Sequence, residues 1–232
     1  MFLTAVNPFG VMYNPASVLH TLERMYADGA SAFAVPDVAV LSLGTNHVYI
    51  LNETGEIVDN CEKRPQRLFT EKILSMEECT DYLTRCVNLL QQVNPDVRII
   101  FTVSPIRYAK YGFHESQLSK ATLLMAIHTL LSSFISQLMY FPSYEIVLDE
   151  LRDYRFYASD MLHPSEQAVD YIYERFADTF FSEKTRCFVE EYRPIKQALN
   201  HRPFNPDSEE YRRFIAQTKE KLEAFKARYQ RS

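Results

Sequence analysis

"VAVLSLGTNHVY" spans residues 38–49, and its first six residues decide the fold. Val38 to Leu43 form a short, nearly unbroken apolar run that stops at Gly44. A run of that length suits a strand buried on both faces, as in a parallel sheet. "VRIIFTV" (97–103) repeats the pattern and is stopped by Pro105. Between them, Ser75 and Glu78 make a capping box for a helix from about Met76 to Val93. Tyr82, Leu83, Cys86, Leu89, Leu90 and Val93 recur there at helical spacing. "HVYILNETGEIVDN" (47–60) reads as a hairpin turning near Thr54 and Gly55. Upstream, "ASVLHTLERMYADG" (16–29) reads as a helix closed by Gly29, and the first fifteen residues read as loop. Downstream, the pattern predicts a long helix over roughly 116–139, then a short strand or extended run at "YEIVLDE" (144–150). Ser165 can cap a last helix through about Phe180. Strand and helix alternate, which argues an α/β fold with a mainly parallel sheet.

From about residue 182 the chain turns helical and charged. Tyr211, Phe214, Ile215, Leu222, Phe225 and Tyr229 form one stripe, so an α/β domain over 1–181 is followed by an amphipathic helical extension over 182–232. The bulk numbers set further bounds. The net charge is -5, so no basic field stands ready for a nucleic acid backbone. Glu209, Glu210, Glu220 and Glu223 interrupt the Lys and Arg of the last helix, against a basic membrane-surface helix. No stretch of eighteen uncharged apolar residues occurs, and the amino end lacks the basic start of a signal peptide. The four cysteines make no C-x-x-C pair, which removes the usual zinc spacing. Cys79 and Cys86 lie seven apart on a helix and read as core. A reducing compartment, the cytoplasm, is the simplest fit.

Three places could carry chemistry. In "RFYASDMLHPSEQ" (155–167), Asp160 and His163 stand three apart, and Pro164 biases His163 away from helical geometry. In a turn the carboxylate can fix one ring nitrogen and leave the other free as a base. The spacing alone does not separate that role from chance. The second place is the strand end at Gly44 and Asn46, where α/β sheets bind ligands. Gly44 would let a substrate approach, and Asn46 could donate to an oxyanion; an ordinary Gly-Thr-Asn turn is the other reading. The third is "TVSPIRYAKYG" (102–112). Its Arg107 could bind an anionic or sugar group, while Ser104 lacks the elbow of a nucleophile. Cys61 has Lys63 and Arg64 beside it, and reads as structural.

Taken together, "NPFGVMYNP" (7–15), "LSLGTNHVY" (41–49), "DNCEKRP" (59–65), "TVSPIRY" (102–108), "LSKATL" (118–123), the long block from Tyr140 to Phe176 and "ALNHRPF" (198–204) resemble the bacterial GSCFA-domain family, near the SGNH (GDSL-like) hydrolases. The resemblance implies a flavodoxin-like three-layer α/β/α sandwich. It implies a serine ester hydrolase acting on acyl esters, those of carbohydrates among them, with no cofactor and no metal. Asp160 and His163 match the family's D-x-x-H block, and Gly10 and Asn46 fall where its oxyanion-hole Gly and Asn lie. The sequence departs from the family at three points. The G-S-C-F-A stretch that carries the serine is absent, so the resemblance places the nucleophile and its central strand upstream of Met1. An inactive chain with open strand edges is then expected. Tyr108 and Glu62 stand where relatives often carry histidine. A non-catalytic binding or scaffold protein on the same fold is the competing reading.

Overall fold

The computed structural model describes residues 2–4, 15–27, 36–58, 64–132, 136–201, 203 and 208–229. In chain order the strands are β1 (Phe2–Thr4), β2 (Val38–Leu43), β3 (His47–Leu51), β4 (Ile57–Val58), β5 (Phe69–Ile73), β6 (Arg98–Val103) and β7 (Leu138–Phe141). The helices are α1 (Pro15–Ala27), α2 (Met76–Val93), α3 (Phe113–Leu131), α4 (Ser143–Glu145), α5 (Glu166–Phe180), α6 (Glu183–Leu199) and α7 (Glu209–Tyr229).

The two apolar runs are adjacent strands of one parallel sheet, ordered β1-β2-β6-β7, with Val38 opposite Arg98 and Leu43 opposite Val103. Parallel pairing needs a crossover, and the chain between β2 and β6 supplies it with α2. The fold is α/β, of the three-layer α/β/α class. Every residue of β6 from Ile99 to Val103 is buried, as expected of a strand covered on both faces. Leu83, Cys86 and Val87 from α2, and Leu123, Ala126 and Ile127 from α3, complete the core with Leu41 and Leu43. The capping box of Ser75 and Glu78 is formed in both directions. Burial pushes both core thiols, Cys79 and Cys86, up to about 12, so they are inert hydrophobes.

Three sequence expectations need correction, and one strand, β5, was not foreseen beside a hairpin that forms as expected. The first fifteen residues are not all loop, since Phe2–Thr4 pairs with Val38–Val40 and gives β2 a neighbour on that side. Three residues are too few for periodicity to register. The helix expected to reach residue 139 ends at Leu131, and Leu138–Phe141 is a strand beside β6. A four-residue apolar run cannot be told from a helix end by pattern, and its place beside β6 decided it. "YEIVLDE" is helical, because adjacent Ile146 and Val147 both find cover and the backbone winds wide through Ile146–Leu151. Its last rung, Arg152 N–H to Val147 O at 3.0 Å, spans five residues. Finally, the hairpin β3–β4, which turns through Gly55 at φ 74°, is one half of a second sheet. β5 pairs along the other side of β3, and its mostly exposed Phe-Thr-Glu-Lys-Ile sequence gave no strand signal.

The chain forms two compact units, Met1–Ile172 and Tyr173–Ser232. In the second, Phe188 and Tyr192 of α6 meet Phe225 and Tyr229 of α7, with ring centroids 4.8–5.3 Å apart. Tyr211, Ile215, Leu222, Phe225 and Tyr229 follow the expected stripe. Phe214, placed in the same stripe, is exposed and turns toward His201.

Candidate active site

The segment 156–165 is a tight turn closed by two backbone bonds, Ala158 N–H to His163 O at 2.8 Å and Ser165 N–H to Phe156 O at 2.8 Å. Pro164 bridges to Tyr157. Inside the turn the Asp160 carboxylate is fully engaged. Its Oδ1 accepts from Leu162 N–H at 2.9 Å and His163 N–H at 3.0 Å, and its Oδ2 lies 2.5 Å from His163 Nδ1. The backbone N–H of Leu162, then that of His163, then the imidazole hold its carboxyl down at about 2. Asp160 is therefore anionic at neutral pH and favours the tautomer with a proton on Nδ1. Nε2 is left with its lone pair, and no described residue bonds to it. The imidazole is about half exposed, so a substrate can reach it.

This turn is fixed to the carboxyl end of the parallel sheet by Arg107. Arg107 N–H donates to Leu162 O at 2.9 Å, and its Nη1 donates to Met161 O at 3.0 Å. Its guanidinium lies over Phe113 at 4.1 Å and near Tyr157 and Tyr154 at 5.5 and 5.8 Å. Arg107, Gln117, Arg152, Asp153, Tyr154 and Tyr157 line a cavity of about 280 Å³ beside the turn. Among the described non-glycine residues only Arg152 (φ 45°) and Met161 (φ 60°) are left-handed. One lines this cavity and the other sits between Asp160 and His163, and such strain gathers at functional sites.

Gly44 and Asn46 lie beyond the end of β2, in the loop into β3. Asn46 is 3 % exposed; its Nδ2 donates to Leu74 O at 2.7 Å, while its Oδ1 has no partner among the described residues. One amide hydrogen is thus committed to the hairpin connection. Gly44 is buried, and its carbonyl points at Lys120. Gly10 and Cys61 lie outside the described residues. Tyr108 and Tyr111 pack at 5.2 Å, and the buried His47 ring stacks on Tyr111 at 3.8 Å. Burial lowers the His47 pKa. Ser104 N–H closes the ladder onto Leu43 O at 2.8 Å, and its Oγ only meets Ile106 N–H at 3.4 Å. Among the described residues no group of three or more His, Cys, Asp or Glu could hold a metal, and no helix is long and apolar enough to cross a membrane.

The sequence reading missed Lys120. It is 2 % exposed, and its Nζ donates to Gly44 O at 2.6 Å and Ser104 O at 2.7 Å. The signal was present: Ser116, Ser119, Lys120, Leu123, Ala126, Ile127 and Leu130 form one buried helical stripe, and Lys120 is its only charge.

A parallel α/β sheet with a carboxylate–imidazole pair beside its carboxyl end defines an α/β protein with a candidate acid–base site. Residues 27–176 match the model of the GSCFA family, and residues 193–231 match that of the GSCFA domain protein, C-terminal domain. The chain belongs to the GSCFA family. No curated protein matches the sequence.

Proposed function

We propose that this GSCFA-family domain is an ester hydrolase of SGNH type, acting on acyl esters of small molecules or carbohydrates. The observation that carries the reading is the Asp160–His163 contact, held by Arg107 beside the carboxyl end of the sheet. In the reaction, His163 Nε2 takes the proton of a serine hydroxyl, which the family resemblance puts in the G-S-C-F-A stretch that this sequence lacks, as its oxygen attacks the acyl carbon. The alcohol then leaves with that proton, and water repeats the sequence on the acyl-enzyme. Asp160 stabilises the imidazolium that forms. Asn46 supplies its remaining amide hydrogen to the oxyanion, with Gly10 as the second donor. Gly44 and Arg107 border the substrate.

A second reading, a binding protein on the same fold, is favoured by one observation. No described Ser, Thr or Cys side chain is bonded to His163 Nε2. The two separate in one experiment. The chain joined to a G-S-C-F-A segment that supplies the serine is assayed on 4-nitrophenyl acetate and on an acetylated sugar. His163→Ala is expected to lower kcat by about 10²–10⁴-fold. Turnover that is absent, or equal in the two forms, selects the binding protein.

A further inference from the structure

The polar groups buried in this chain are unevenly placed. Of ten buried polar or charged residues among those described, eight gather near the carboxyl end of β2 and β6: Thr45, Asn46, His47, Thr102, Ser116, Ser119, Lys120 and Ser143. Lys120 is the one cation in this group. Its two carbonyl partners belong to different loops, one leaving β2 and one leaving the neighbouring β6. The residue before it braces the same loop, since Ser119 Oγ accepts from Asn46 N–H at 3.0 Å and meets Thr45 Oγ1 at 3.1 Å.

Taking an ammonium out of water is costly, and methionine at the same position would avoid that cost. Burial is the only cause that moves its pKa, pulling it down to about 7, and no carboxylate among the described residues offsets it. Bonds from a charged donor are shorter and stronger than neutral ones, so a single atom here fixes the separation of two loops. A trans peptide also sets its C=O and the following N–H on opposite sides. Drawing Gly44 O onto Lys120 therefore turns Thr45 N–H away from it, and the same atom sets the direction of that donor.

We propose that Lys120 is the positioning residue of the candidate active site, a lock that holds the Gly44–Asn46 and Ser104–Arg107 loops in one arrangement. The second of these loops carries Arg107, and through Arg107 the lock reaches the Asp160–His163 turn. The inference rests on the hydrolase reading only in taking this end of the sheet as the reactive one.

The test compares full-length wild type, Lys120→Met and Lys120→Gln by hydrogen exchange and ester turnover. Methionine keeps the length and removes the donor nitrogen; glutamine keeps a neutral donor nitrogen on a shorter arm and is the second variant should methionine prevent folding. Amides of 43–47 and 104–108 are expected to exchange about tenfold faster in Lys120→Met, and less so in Lys120→Gln, with α2 within about twofold of wild type. On the ester, kcat is expected to fall about tenfold or more while KM stays within about twofold. Unchanged exchange in the two loops overturns the proposal. Acceleration spread equally through α2 also overturns it, since Lys120 would then be a general stabiliser. Localised acceleration without turnover in any form removes the hydrolase reading and leaves the lock standing.

Discussion

The carboxyl end of the sheet and the α6–α7 hairpin are built from opposite materials. The first buries hydroxyls, an amide, an imidazole and an ammonium, each needing a partner. The second packs partly exposed rings around the buried Phe225, with Thr218 as its single buried polar residue among those described. Rings need only cover, so a helical hairpin tolerates their approximate fit. Buried polar groups need geometry, and a missing partner costs the full desolvation of the group left behind. A chain places such groups where an arrangement must be unique, and that is where the loops around Asp160 and His163 converge. What the difference teaches is where precision is kept in this molecule and where bulk suffices.

The largest effect should come from removing bulk. Phe225 has ring neighbours at 4.7, 4.9 and 5.3 Å, so Phe225→Ala should cost about 3–5 kcal/mol in the hairpin. Urea unfolding followed by circular dichroism reads it, and a cost below 1 kcal/mol would mean the rings are not the support. Next is pH. Lys120 has a folded pKa near 7 against 10.5 for an ordinary lysine, so between those values the unfolded chain holds a proton that the folded one has lost. Stability should therefore rise with pH between about 7 and 10.5, relative to Lys120→Met, by at most about 5 kcal/mol at 1.36 kcal/mol per pH unit. The two carbonyl bonds favour the ammonium and shrink that gain. Urea midpoints at pH 6.5, 8 and 9.5 measure it, and parallel curves for the two proteins would contradict it.

Smaller effects sharpen the contrast. Ser143 Oγ donates to Val103 O at 2.7 Å and sits 2.7 Å from Thr102 Oγ1. Ser143→Ala leaves both buried groups short of a partner and should cost about 1–3 kcal/mol by thermal melting. Thr218 Oγ1 only bonds back to Phe214 O within its own helix, at 2.8 Å. Thr218→Val should stay within about 0.5 kcal/mol of wild type, since that carbonyl already lies in a helix. Equal costs for the two substitutions would erase the distinction between the regions.

Much of this was legible in the sequence, for local reasons. Arg98–Val103 announces itself because a strand buried on both faces is continuously apolar, whereas Val38–Leu43, expected to be the same, buries Ala39, Leu41 and Leu43 and leaves Ser42 exposed. The α2 boundary is written in Ser75 and Glu78, and Asp160 with His163 needs only a turn that Pro164 favours. What escaped depends on distant partners. Leu138–Phe141 is a strand because β6 lies beside it, and Phe2–Thr4 because β2 does. Lys120 was hidden for the opposite reason. A charge on a helix is ordinarily taken for a solvated face, and only its place in a stripe of buried residues marks it as internal.

The second sheet, ordered β4-β3-β5, has a bearing on how copies of this chain behave in a crowded solution. An unpaired strand edge is a template on which another chain can lengthen the sheet. One edge here is β4, two residues long and too short to seed such growth. The other is β5, where Thr70, Glu71 and Lys72 stand exposed, with Glu71 paired to Lys110 and Lys72 to Glu78. An incoming strand would have to strip water from those charges before gaining a single backbone bond. Both borders of the small sheet are therefore poor seeds for lateral growth, a safeguard against aggregation supplied by one very short strand and a row of ion pairs.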